Sequence, residues 1–151
     1  MQRHFLILAG FALVTLTLAG CRTSPSAYSV VSQDDADILI EAKRLLSDES
    51  KWTRNEEMQC NLEAEQWTLF CALQKASYNV TGGYELRRIA IEDTRYIIER
   101  TIGSGTLERR LIDFNNLPAT TFADVQRVLD LALQRVNARL AQLQELENPA
   151  Q

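Results

Sequence analysis

Residues 121–147 read TFADVQRVLDLALQRVNARLAQLQELE, and this stretch decides the fold. Thr121 precedes an acid, Asp124, at the third helical position, the pattern of a capping box. No proline or glycine follows up to Glu147. Phe122, Val125, Leu129, Ala132, Val136, Leu140 and Leu143 recur at helical spacing and make one apolar stripe. The stretch predicts a helix of about 26 residues, or ~39 Å at 1.5 Å per residue.

Working back towards the N-terminus, the same period recurs. Ser32 and Asp35 form a second capping box, and Ile38, Leu39, Ala42, Leu45 and Leu46 follow at helical spacing. A first helix is expected over about 34–47. Residues 48–63 are polar and break the pattern, so an irregular loop pinned by Trp52 and Cys60 is expected. A second helix is expected over about 64–79. Trp67, Phe70, Ala72, Leu73 and Ala76 cover most of its circumference, which marks a central, buried helix. Gly82 and Gly83 end it. A third helix, about 84–102, carries Leu86, Ile89, Ala90, Ile97 and Ile98. The connection after it holds a short turn near residues 111–114 and a bend at Asn115, Asn116 and Pro118. No segment sustains the alternation of a strand. The expected fold is all-α: a compact domain of four main helices over residues 33–147, followed by a tail at 148–151.

The order Trp52, Cys60, WTLFCALQKA, a charged helix and DFNNLPATTFADVQRVLDLAL resembles a small bacterial and phage domain family of unknown function. That family carries a tryptophan, a CAL helix and an Asn-containing turn before a Thr-capped helix. The resemblance implies a helical domain and transfers no activity. An export signal and a second cysteine depart from that pattern and suggest an exported version.

The export signal is the first 21 residues. Arg3 and His4 precede an apolar run over residues 5–18, too short for a bilayer core that takes about 20 helical residues. Its length fits a signal peptide. The run LAGC at 18–21 resembles the lipobox of bacterial lipoproteins, in which the cysteine is acylated and becomes the first residue of the mature chain. The resemblance implies lipidation at Cys21 and a membrane anchor, since several acyl chains hold far better than one. Residues 1–20 would then be removed. Residues 21–32 would be the acylated Cys21 and a flexible, serine-rich tether; the eleven residues 22–32 reach at most ~35 Å. Arg22 stands where an aspartate would retain such a protein at the inner membrane, which points to the outer membrane, facing the periplasm.

Composition narrows the chemistry. The sequence has 16 Lys and Arg against 20 Asp and Glu. Losing residues 1–20 removes only Arg3 from the charged set, leaving 15 against 20, a net charge of −5. An acidic chain without a basic block is a poor nucleic-acid binder. The single histidine, His4, leaves with the signal. The usual neutral-pH base and commonest metal ligand is then missing, and Ser-His or Cys-His nucleophilic pairs are excluded. Neither a metal nor another cofactor is expected. Cys60 and Cys71, in an oxidising compartment, read as one disulfide; a loop of that size is worth roughly 3 kcal/mol in the chain-entropy model.

Four features are candidates for function. Glu56, Glu57, Glu63 and Glu65 bracket Cys60, and paired carboxylates cleave glycans when held about 5–10 Å apart. The bland reading is solvated acids in a polar loop. IGSGT at 102–106 lacks the lysine and strand of a phosphate loop and reads as a helix stop. Asn115, Asn116, Thr120 and Thr121 suit turn and cap chemistry, or a small polar ligand site beside Trp52 or Trp67. Leu133, Val136, Leu140 and Leu143 step by three, four and three, flanked by Arg135, Arg139, Glu145 and Glu147. They form a short heptad-like seam that packs back on the first helix of the same chain, or overhangs and binds a partner helix or a second copy. The expected protein is a non-enzymatic, membrane-anchored envelope lipoprotein that binds or scaffolds a protein. The alternative is an envelope glycan binder or a carboxylate-dependent hydrolase.

Overall fold

The computed structural model describes residues 30–55, 58–103, 105 and 107–148. The signal, Cys21 and most of the tether lie outside these residues, as do Glu56 and Glu57. Among the described residues five helices form: α1 (Gln33–Leu45), α2 (Leu69–Thr81), α3 (Ile89–Ile102), α4 (Arg110–Asn116) and α5 (Phe122–Glu147). A single 3-10 turn, Glu49–Lys51, interrupts the loop after α1. No strand forms among the described residues, apart from one isolated bridge between Trp52 and Trp67.

The all-α expectation holds, with five helices in place of four. The extra one, α4, occupies the place of the short turn expected near 111–114. Its seven residues place Leu111, Ile112, Phe114 and Asn115 inside the protein. The starts of α2 and α3 lie later than expected, at Leu69 and Ile89 rather than about 64 and 84. Thr68 caps α2, its hydroxyl accepting from the Cys71 N–H at 3.1 Å. Trp67, just outside, donates its N–H to the Lys51 carbonyl at 2.7 Å and accepts from the Thr53 N–H at 3.0 Å. Those two bonds hold the backbone before Thr68 extended, so the helix cannot begin sooner.

Both capping acids take up the expected role. At α5 the Thr121 N–H and hydroxyl donate to Asp124 at 2.9 and 2.6 Å. At α1 the Ser32 N–H and hydroxyl donate to Asp35 at 2.9 and 3.2 Å. Asp35 is buried and also accepts from the Ala90 N–H at 3.1 Å, so one carboxylate fixes the starts of both α1 and α3. Gly82 ends α2 at φ 75°, a left-handed conformation that favours glycine.

Helix α1 packs on α2 and α5, α5 also covers α3, and α4 closes the end between α2 and α3. Ile38, Leu39, Leu73, Ile91, Ile98, Val125, Leu129 and Val136 are wholly buried. Each such side chain stabilises the fold by about 1.5–3 kcal/mol. The disulfide Cys60–Cys71 forms, with Cα atoms 5.4 Å apart. It ties the irregular loop to the first turn of α2.

Candidate functional site

Two polar constructions and one groove stand out. The first centres on Asn115, which is wholly buried. Its Oδ1 accepts from the Trp52 indole N–H at 2.7 Å and from the Leu69 N–H at 3.0 Å. Its Nδ2 donates to the Thr53 carbonyl at 3.1 Å. Asn116 extends the junction, donating to the Asn55 carbonyl at 2.9 Å. A buried amide with its donor and acceptor both engaged holds three chain segments at one point. The tryptophan, the CAL helix and the Asn-containing turn therefore meet physically.

Beside this junction lies an open hollow of about 410 Å³, lined by Trp52, Thr53, Arg54, Pro118, Thr120 and Thr121. The Arg54 guanidinium sits 5.0 Å from the Trp52 ring centroid and donates to the Thr120 carbonyl. Phe122 approaches the same indole at 6.2 Å between centroids. Here the Trp52 N–H is engaged by Asn115 and the Thr121 hydroxyl by the cap. The asparagine and threonine cluster thus does the work of turns and caps.

The second construction is ionic. Asp93 on α3 is 4 % exposed and meets Arg135 Nε at 3.0 Å and Arg139 Nη1 at 3.1 Å, both on α5. Arg135 also stacks over the Tyr96 ring, 4.1 Å from its centroid. The two arginines that flank the seam in sequence therefore bind α5 to α3. Of the seam itself, Val136 is wholly buried in the core and not available to a partner. Leu133, Leu140 and Leu143 are half-buried against that core. The exposed large apolar residues of α5 are Leu131 and, at its far end, Leu146 at 76 %.

Of the acidic candidates, Glu63 and Glu65 lie among the described residues. Glu63 is 88 % exposed at its side chain and lies 3.5 Å from Lys75. Glu65 is exposed on the rim of a shallow hollow that also includes Lys51 and Gln66. Among the described residues no group of three or more histidine, cysteine, aspartate or glutamate side chains is placed to hold a metal. Among the same residues no helix is long and apolar enough to cross a membrane.

The groove was not foreseen from the sequence. It holds about 380 Å³ between α3, α4, the start of α2 and the loop before α3. Phe70, Leu111 and Ile112 make its apolar floor, with Met58 and Leu86 on the rim, 63 % and 58 % exposed. Arg87, Arg95, Arg109 and Arg110 line it, against Glu92 and Glu108. Arg95 donates to the Leu86 carbonyl at 2.7 Å and to Glu92 at 2.8 Å, fixing the loop on α3. Arg109 pairs with Asp113 at 2.9 Å and Arg110 with Glu99 at 2.6 Å. Behind the groove Tyr84 packs edge-on to Phe70 at 6.0 Å, and burial pushes its hydroxyl above the ordinary phenol range. Four arginines over an apolar floor were invisible in the sequence because they come from three separate segments.

No curated protein and no solved structure matches the chain. The profile of a family of unknown function, DUF6197, matches residues 31–135, from the entry to α1 through the greater part of α5. That span takes in the Asn115 junction, the disulfide and the Asp93 cluster as far as Arg135, and it covers more than half of the sequence. The chain therefore belongs to the DUF6197 family of unknown function.

Proposed function

We propose that this is a bacterial envelope lipoprotein: a helical domain anchored through acylated Cys21, without enzymatic activity, that binds or scaffolds a protein at the membrane. One observation carries the reading. The charge-free run over residues 5–18 ends in LAGC, and the family domain begins only ten residues beyond that cysteine, at 31. An export signal, an acylation site and a short spacer thus precede a folded module. The same signal motivates placement at the outer membrane, facing the periplasm.

The polar groups of the module support a binding role. Asn115, Thr121, Asp35 and Asp93 are all engaged in holding helices. Glu63 and Glu65 stand in solvent, where a carboxylate lacks the apolar surroundings that prepare a general acid. The exposed end of α5 offers contact area for a protein partner or a second copy.

The test is fractionation of cells producing the full chain or Cys21→Ala. The full chain should sediment with membranes and the variant should not. Equal membrane partition of both would overturn the lipid anchor.

A further inference from the structure

We propose that α5 pairs with the α5 of a second copy, antiparallel, about a two-fold axis at Val136. The proposal rests on the lipid-anchor reading, names the partner left open there, and uses the outward face of α5.

Helix α5 carries two rows of residues on opposite sides. Val125, Leu129, Ala132 and Val136 face inward and are wholly buried. On the other side Arg127, Leu131, Gln134, Ala138, Ala141 and Glu145 step by four, three, four, three and four, and all six are exposed. That is the heptad spacing of a helix pair. The outer row is about 27 Å long at 1.5 Å per residue. From Ala141 onward the only described residue of α5 that is not exposed is Leu143, so the domain itself leaves this part of the helix uncovered.

The outer row is complementary to itself. Its members stand nine, five and two positions on either side of Val136. In an antiparallel pair Arg127 of one copy meets Glu145 of the other, Leu131 meets Ala141, and Gln134 meets Ala138. Each contact occurs twice, as a two-fold interface requires. A parallel pair would set Arg127 against Arg127 and Glu145 against Glu145, an arrangement that like charges oppose. Among the described residues neither Arg127 nor Glu145 forms an ion pair. Asp124, one turn before Arg127, feels its charge but is hydrogen-bonded by Thr121 and falls opposite the uncharged Asn148. The charges beside the row are directed at their own domain: Asp130 meets Lys43, and Arg135 meets Asp93 and the Tyr96 ring.

The size of the contact sets where it forms. Six side chains a copy is well below the roughly 20–30 residues a side of a standard stable interface, so the pair is weak in free solution. An acyl anchor confines the copies to one surface and raises their effective concentration. A two-fold axis normal to the bilayer also keeps both chain entries, at Val30, at the same height above one leaflet.

The test is photo-crosslinking in cells that produce the full chain, from position 138, with the exposed position 78 on α2 as control. Membrane fractionation of the same cells reports the anchor separately. The expected result is membrane-bound protein with self-adducts from 138, mapped around Gln134 of the second copy, and few from 78. Arg127→Glu alone, or Glu145→Arg alone, sets like charges together twice and should lower the self-adduct roughly tenfold. Producing the two variants in one cell recreates both opposite-charge contacts and should restore it. Unchanged melting temperatures would show that both variants are folded. Membrane-bound protein without self-adducts at 138, or with adducts indifferent to the charge changes, would overturn the pairing and leave the anchor standing. A dominant adduct from 138 to a different protein would overturn it in favour of an unlike partner. Protein found in the soluble fraction would remove the anchor; self-adducts with the same charge pattern there would still support the pair, and their absence would overturn it.

Discussion

The Asn115 junction and the Asp93 cluster solve the same problem with different chemistry. Each fixes helices that lie far apart in sequence. Asn115 does so with a neutral amide, wholly buried, bonded to one indole and two backbone groups. Asp93 does so with a charge, buried at the carboxylate but answered by Arg135 and Arg139, whose side chains are 41 % and 36 % exposed. The rest of each region follows suit. Around Asn115 the ties are the Trp52–Trp67 bridge and the disulfide. On the face of α1, α3 and α5 they are ion pairs, Lys43–Asp130 and Arg88–Asp35 among them. The neutral junction has no water to fall back on when a partner is lost, whereas the arginines have. Stability should therefore be concentrated at the junction, and sensitivity to salt and pH at the charged face and the helix caps.

The largest expected effect is at the junction. Asn115→Ala leaves the Trp52 N–H, the Leu69 N–H and the Thr53 carbonyl without their partner. The loss is about 3–5 kcal/mol, since each unsatisfied group costs about 1–3 kcal/mol. Urea unfolding would measure it; a loss under 1 kcal/mol would erase the contrast. Next comes the disulfide. Cys60→Ser with Cys71→Ser should cost about 2–3 kcal/mol, mainly by freeing the unfolded chain. An unchanged urea midpoint would mean that the junction holds the loop unaided.

Asp93→Asn should cost less, about 1–2 kcal/mol, because both arginines rehydrate. The difference from the unchanged protein should shrink at 1 M salt, where the Debye length is only ~3 Å. Salt-insensitive behaviour would argue that Asp93 acts by packing. The smallest effect concerns acid. Hydrogen bonds from the Thr121 side chain and backbone hold Asp124 below the ordinary aspartate range, and Arg44 does the same for Glu41. Folded pKa values below the unfolded ones mean that the unfolded chain binds more protons. This contribution is complete above about pH 4–5 and disappears as pH falls through the folded values. Asp124→Asn should therefore make the acid limb of a stability–pH curve shallower and lower neutral stability by about 0.5 kcal/mol. An identical acid limb would count against the cap.

The same contrast explains what was legible in the sequence. The capping boxes at Ser32 and Thr121 and the long stripe of α5 are local patterns, and both helices lie where the pattern puts them. The disulfide follows from counting the two cysteines, Cys60 and Cys71, that lie within the helical domain. Helix α4 has seven residues, shorter than the window in which a helical period can be recognised. The starts of α2 and α3 are set from afar, by Lys51 and Asn115 acting on residues 67–69 and by Asp35 acting on Ala90. Arg135 and Arg139 resemble the flanks of a seam because their partner, Asp93, lies 42 and 46 positions away. The groove draws on residues from Met58 to Ile112, a separation no local period records.

The functional reading depends most on Cys21. The most direct measurement is the mass of the N-terminal peptide of the chain extracted from bacterial membranes. The account predicts a peptide that begins at Cys21, heavier by a thioether-linked diacylglyceryl group. A peptide that begins elsewhere, or an unmodified Cys21, would contradict it.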